Sequence, residues 1–324
     1  MDCSWVKDAD IPEYVSNAAK GPAIRKMMFF MPACASIPLE NSMGVPFNYL
    51  FLFVPTQAKR QYMRNLALFW KYIKYRLSAK TRYDVHSPFL FALVEEVFRN
   101  KGNYYAYDKI EPIRRRALQD NRSIAITDLG AGSRSLSEKT RTVSAIARTS
   151  VMPIYQAQRL HRVLVKFRPQ TVLEIGTSLG ITTMYLAAAN QQAEIITLEG
   201  CPNTRKIALE HFAIGGFKNI RSVEGNFDDT LPQVLQEKKE IDFALIDGNH
   251  RKEATLRYFH EIAEHCHSNS ILVFDDIHWS DEMEEAWNEI IRDERITLSL
   301  DLFHQGMVFF KKELKKEHYV LKHR

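Results

Sequence analysis

Glycine and proline are scarce, 13 and 12 in 324 residues, and no repeat with a period of about 20 to 50 residues is visible. Collagen-like, low-complexity and solenoid architectures are thereby excluded. The four cysteines, Cys3, Cys34, Cys201 and Cys266, form no CxxC pair, so neither a zinc knuckle nor a dithiol redox site is signalled. A reducing, cytoplasmic setting is expected. No apolar run reaches the length of about 20 residues that spans a bilayer, because Met27–Ala35 and Tyr49–Pro55 are short or interrupted by proline. Arg25-Lys26 ahead of Met27–Met31 and Ala33-Cys34-Ala35 has the outline of a secretory leader, but its apolar part is too short and starts too far in. With 45% hydrophobic and 26% charged residues, the chain can bury at least one full core.

The formal charge of +5 is unevenly spread. Residues 1–150 hold 23 Lys and Arg against 13 Asp and Glu, leaving 21 against 26 for the remainder. Residues 1–62 mix six prolines with isolated apolar clusters and show no sustained period, as expected of an irregular extension. From Gln61 to Lys80 the spacing of Met63, Leu66, Leu68, Phe69, Tyr72, Ile73 and Leu77 predicts an amphipathic helix with these residues near one face. Eight basic residues and no acidic one lie between Lys59 and Arg82, which suits a docked helix with a solvated basic face, or contact with an anionic partner. After His86-Ser87-Pro88, a second helix is predicted over Phe89–Arg99. Residues 63–149 are therefore read as a helical N-terminal or cap region, and 150–324 as a separate domain.

Beyond Val165 short β-rich runs alternate with helical patterns, which predicts a parallel sheet covered by helices. Strands are expected at Thr171–Gly176, Ala193–Glu199, Asn219–Glu224, Ile241–Asp247 and Ser270–Asp275. Ile296–Phe303 and Met307–Lys311 then have the spacing of an antiparallel hairpin. In such sheets ligands bind beyond the carboxyl ends of the strands. Here those ends read Glu174–Gly180, Glu199-Gly200, Gly225–Asp228, Asp247–His250 and Asp275–His278, each polar or acidic.

The first of these turns, LEIGTSLGITT, brings glycine backbone close to a ligand and opens a helix whose free N–H groups suit a negative group. It lacks the G-x-G-x-x-G of nicotinamide-binding proteins. Glu199 follows Gly176 at the distance where a carboxylate accepts hydrogen bonds from ribose. A nucleoside-containing ligand is implied. Thr127–Ser133 (TDLGAGS) also has the form of a strand with a glycine-rich turn, but the segment after it reads as a basic helix with no second strand, so a substrate-side loop is expected there.

LEIGTSLGITT, ITLEG, VEGNF, IDGNH and VFDDIHW, in that order, resemble the class I S-adenosylmethionine-dependent methyltransferases, specifically the catechol-type O-methyltransferase branch. The match spans about residues 150–312. The resemblance implies a Rossmann-like α/β fold with a seven-stranded, mostly parallel sheet and an antiparallel C-terminal hairpin. It implies S-adenosylmethionine as cofactor, with Gly176, Ser178 and Gly180 near the methionine part, Glu199 on the ribose, and Asn226-Phe227 flanking the adenine. Glu174, Thr177, Gly200 and Asp247 complete the candidate cofactor set. The family's divalent metal would fall on Asp247, Asp275 and Asp276, the last replacing the family's asparagine, and Mg²⁺ would suit three carboxylates. His250 stands where catechol-type enzymes carry a basic lysine, so Asp247 and His250 are the candidate catalytic residues. Trp279 is expected either to wall the pocket or to belong to the core.

The expected reaction is methyl transfer to an oxygen of a small molecule, anionic or a vicinal diol. Alternatives are an RNA-directed methyltransferase using the basic helices, and a binding module without catalysis. The Asn/Asp-Pro-Pro-aromatic run of base-directed enzymes is missing after the fourth strand, which disfavours nucleic acid. A homodimer is compatible with the chain.

Overall fold

The computed structural model describes residues 56–127 and 139–322. The leader-like segment, most of the proposed extension and Asp128–Ser133 lie outside the described residues. Residues 65–324 cluster as one compact unit.

Helix α1 (Thr56–Ser78) leads into α2 (Pro88–Leu93), which starts on Ser87 as N-cap with proline in its first turn. The chain runs on through a wider π-type turn at Val94–Phe98, so the predicted helix over Phe89–Arg99 is present but changes its hydrogen bonding half-way. Helix α3 (Tyr105–Gln119) has Pro112 inside it and is held by a buried stripe of Tyr107, Ile110, Ile113 and Ala117. Strand β1 (Ser123–Ile126) pairs antiparallel with β2 (Lys139–Thr142). That pairing corrects the expected basic helix after Ser133: among its described residues, Lys139–Thr142 form a strand and α4 (Val143–Thr149) is helical. The KTRT stretch carries two threonines and finds SIAI as a partner, a combination that favours strand.

The sheet follows helix α5 (Ile154–Phe167). Its parallel strands are β3 (Thr171–Ile175), β4 (Glu194–Glu199), β5 (Ile220–Glu224), β6 (Phe243–Ile246) and β7 (Ile271–Asp275). They alternate with α6 (Ile181–Ala189), α7 (Pro202–Gly215), α8 (Phe227–Glu237), α9 (Lys252–Ala263) and α10 (Asp281–Ile290). The hairpin of β8 (Leu298–Asp301) and β9 (Gln305–Phe309) adds β9 antiparallel to β7. An eighth strand, β10 (Glu317–Val320), lies parallel to β8 at the edge and extends the expected seven. The spatial order is β10-β8-β9-β7-β6-β3-β4-β5, so every βα unit expected from the sequence is found.

Successive residues in a strand face opposite sides, and the two sides form two cores. Val172, Ile195, Phe243, Leu245 and Val273 pack with α5, α6 and the N-terminal helices. Leu173, Ile175, Ile196, Ile246 and Phe274 pack with α8, α9 and α10. Burial on both faces explains why these strands read as nearly continuous apolar runs. The parallel strands share one direction, and their carboxyl ends form a common rim. Among the described residues, no helix is long and apolar enough to cross a membrane.

Candidate active site

The first turn of the rim is shaped by backbone. Gly176 has φ 103° and its N–H donates to the Leu198 carbonyl at 3.0 Å. A Cβ at this position would lie 2.1 Å from the carbonyl oxygen of Asp247, so only glycine lets the ends of β3 and β6 approach this closely. Thr177 is buried, its hydroxyl 2.6 Å from that of Thr197. Ser178 adopts φ 49°, and its N–H donates to Glu199 Oε2 at 2.8 Å. Gly180 caps the N-terminus of α6.

Glu199 receives a second N–H, from Cys201, on Oε1 at 2.9 Å. Burial raises its pKa, against the lowering effect of N–H groups from Cys201, Ser178 and Gly200. Each oxygen retains a lone pair for another donor. Glu174 sits deeper, with no solvent-exposed surface. Thr183 and Thr197 both donate to its Oε2, at 2.5 and 2.6 Å, while Oε1 has no partner. Burial pushes its carboxyl up to about 7. Glu174 therefore ties the end of β3 to α6 and β4.

At the end of β5, Asn226 caps α8 through its own side chain, which accepts from Asp228 N–H at 3.3 Å. The Phe227 ring packs over the β6 turn: a Cβ on Gly248 would fall 2.7 Å from it. Phe227 also meets Tyr258 edge-on, with centroids 6.3 Å apart. The loops after β5 and β6 thus form one wall.

Asp247 lies in a crevice, with 23% of its side-chain surface open to solvent. Its pKa is well above the ordinary carboxylate value because of desolvation and then the charges of Asp275 and Asp276. His250 Nε2 stands 3.7 Å from Asp247 Oδ1. The turn that carries this pair is tight, with Asn249 at φ 66° and His250 at φ 37°. Asp275 is buried and its Oδ1 has no partner. Asp276 follows with φ 55°, its pKa raised by burial.

Among the described residues, no three His, Cys, Asp or Glu side chains are grouped so as to hold a metal ion. Asp247, Asp275 and Asp276, expected as that set, are close enough to raise one another's pKa but do not form such a group. A cation of another kind stands nearby. Arg159 on α5, 2% exposed, donates through Nε and Nη2 to Gln305 Oε1 at 3.2 and 2.7 Å, and the Gln305 side chain in turn holds Asp275. Burial pulls Arg159 down to about 10, so it remains charged at neutral pH and faces Asp275 as a counter-ion.

A scan of family models matches residues 173–277 to a methyltransferase domain. The matched segment runs from β3 to the turn after β7 and holds every candidate site residue. O-methyltransferase imqG of Aspergillus flavus is 30% identical over 112 residues, which is 32% of this chain and 44% of that protein. The chain thus matches less than half the length of this curated relative. Two solved structures to which the chain is similar are an O-methyltransferase from Bacillus cereus in complex with S-adenosylhomocysteine and the methyltransferase PaMTH1 of Podospora anserina with the same molecule bound. The first has 16% identity, 67% of this chain and 97% of that one covered, and a TM-score of 0.47. The second has 16% identity, 66% and 100% covered, and a TM-score of 0.46. The resemblance drawn from the five motifs is borne out by the family model and the curated relative.

The rim draws on residues outside the matched segment too. Arg159 and Gln305 do not belong to any strand-end motif, and the trace of Arg159 in the sequence is a charge on the buried face of an amphipathic helix. His278, near enough in sequence to invite a role, has both nitrogens engaged: Nδ1 with Glu284 at 2.7 Å and Nε2 with Asp301 at 2.8 Å. Burial would lower its pKa, but the two carboxylates prevail and hold it up at about 9. It is a structural cation linking α10 to β8. Trp279 is only partly buried and lies at the rim, outside both cores.

Proposed function

We propose that the methyltransferase domain transfers the methyl group of S-adenosylmethionine to an oxygen of a small-molecule acceptor. The observation that carries this reading is the convergence of five strand ends on one rim. There a left-handed Gly176 turn is tied to Leu198 and Asp247, and a ribose-type carboxylate, Glu199, is fixed by two N–H groups of its own backbone surroundings. Gly176, Thr177, Ser178 and Gly180 would face the methionine part. Glu199 and Gly200 would face the ribose, with Asn226 and Phe227 against the adenine and Glu174 supporting the loop.

The reaction breaks the bond from sulfur to the methyl carbon and forms one from that carbon to the acceptor oxygen, releasing S-adenosylhomocysteine and a proton. Little covalent machinery is needed, since alignment of the two reacting atoms supplies most of the acceleration. Asp247 would orient the acceptor hydroxyl, and the adjacent His250 imidazole would take its proton. The carboxylate set does not fit a divalent ion as arranged, and no step is assigned to one. The acidic cluster with Arg159 behind it suits a neutral hydroxyl-bearing acceptor better than the anionic one expected from the overall charge.

Calorimetry with S-adenosylhomocysteine, followed by transfer of labelled methyl to a panel of phenols, catechols and aliphatic alcohols, tests the reading. Saturable binding and labelled ether product are expected. Absence of binding refutes the cofactor assignment, and binding without transfer to any oxygen acceptor refutes the reaction.

A further inference from the structure

Helix α1 has two apolar stripes, and the fold uses one. Leu68, Tyr72 and Tyr75 face inward: Tyr72 meets Phe303 edge-on at 5.0 Å, Tyr75 tilts against the same ring at 5.3 Å, and its hydroxyl donates to the Leu321 carbonyl. Lys71 on this side is occupied by Asp281 at 2.8 Å and Glu284 at 3.2 Å. On the opposite side Phe69, Trp70 and Leu77 stand 48%, 62% and 84% exposed, with Ile73 half-buried between them. Spacings of three and four residues place these side chains along one outward strip. Exposed Lys74 lies within it, and exposed Lys80, beyond the helix, bridges to Leu321 through its backbone, with its Nζ 4.9 Å from the Tyr319 ring centroid. Residues 56–83 contain no acidic residue at all.

We propose that this outward face of α1 docks on an anionic lipid bilayer, lying in the interface with Trp70, Phe69 and Leu77 inserted and the lysines on the headgroups. Among the described residues nothing covers this bulky apolar strip, and such a strip marks an interaction site rather than a monomer's ordinary surface. The combination of aromatic and aliphatic anchors with basic residues is that of an interfacial helix. A second copy of the chain fits less well, because a twofold contact through this face would set the basic strips against each other. Single-stranded RNA would use aromatic rings for stacking, whereas the most exposed anchor, Leu77, has no π-face to offer a base.

Co-sedimentation of the full chain with vesicles of phosphatidylcholine alone, and of phosphatidylcholine mixed equally with phosphatidylglycerol, tests the proposal. Binding to the mixed vesicles is expected, reduced by salt and weak on phosphatidylcholine alone. The double variant W70S/L77S, altered only at outward positions, should melt as the parent does and lose about tenfold or more in partitioning. Lys74→Glu should lose about fivefold or more, from ~1 kcal/mol per basic residue at such a surface. Unchanged partitioning of W70S/L77S, or equal binding to both vesicle types, overturns the proposal. So does retention on RNA, or a self-association lost in W70S/L77S, when the mixed vesicles sediment without the protein.

Discussion

Replacing Glu174 by glutamine should change how stability depends on pH more than stability itself. The carboxyl is fully enclosed, and desolvation raises it from 4.5 to about 7, with Glu199 adding to the effect. A carboxyl whose pKa is higher in the folded state binds its proton more tightly there. Stability is therefore highest below 4.5 and declines as pH rises, until the folded form also ionises near 7. At about 1.4 kcal/mol per factor of ten in proton affinity, the whole loss is about 3 kcal/mol, of which about 2 to 3 kcal/mol falls between pH 5 and pH 8. Glutamine keeps an oxygen for Thr183 and Thr197 and puts an NH₂ where Oε1 has no partner. That unmade donor costs about 1 to 3 kcal/mol at every pH. The absolute stability of the variant is thus indecisive, and its slope decides. Urea unfolding at pH 5 and pH 8 should show the wild-type losing about 2 to 3 kcal/mol more than the variant over that interval. Parallel curves for the two proteins would refute the reasoning, since the carboxyl would then ionise alike in folded and unfolded chains.

Gly176→Ala should destabilise by about 2 to 5 kcal/mol and sharply weaken S-adenosylhomocysteine binding, because the new Cβ meets the Asp247 carbonyl at 2.1 Å in a backbone with φ 103°. A melting temperature and an affinity both unmoved would show that the turn is not what joins β3 to β6. Asp247→Ala should lower kcat by about a hundredfold or more while calorimetry still detects the cofactor, and unaltered turnover would remove Asp247 from the reaction. His278→Gln should flatten the alkaline limb of the stability profile. The raised histidine stabilises fully below 6.5, and its contribution is lost as pH rises through about 9, so the variant should lose about 3 kcal/mol at pH 6 and little at pH 10. A loss of equal size at both pH values would place the effect in packing with Phe303, whose ring stacks on the imidazole with centroids 5.2 Å apart, rather than in the Glu284 and Asp301 pairs.

The parts of this molecule that the sequence displays are those whose physics is local. A strand buried on both faces must be apolar throughout, and its polar terminus then stands out, which is why Glu174, Glu199, Asp247 and Asp275 could be located with their turns. Boundaries moved by a residue or two. Glycine at 176 is legible for the same reason, since the turn leaves no room for a side chain. What stayed hidden depends on contacts across long stretches of chain. Pro112 argues against the helix that Tyr107, Ile110, Ile113 and Ala117 nevertheless stabilise by burial. KTRT becomes strand only because SIAI lies alongside, and β10 exists only because β8 has a free edge.

Charge is the clearest case. His278 and Asp247 are equally conspicuous as titratable residues at strand ends, yet the structure gives them opposite characters. His278 is satisfied by Glu284 and Asp301 and stays protonated above neutrality, whereas Asp247 stands beside the like charges of Asp275 and Asp276, with an imidazole at 3.7 Å. The cation expected to balance that cluster was a bound metal. A charge of opposite sign already faces Asp275 in Arg159, which comes from the helix before the first sheet strand and acts through Gln305 from the last hairpin. Two residues 146 positions apart thereby act on Asp275, and neither belongs to a strand-end motif. An acidic cluster already faced by a buried guanidinium has less need of a divalent ion. Its remaining unpaired oxygen, Oδ1 of Asp275, calls for a hydrogen-bond donor such as the hydroxyl of an acceptor.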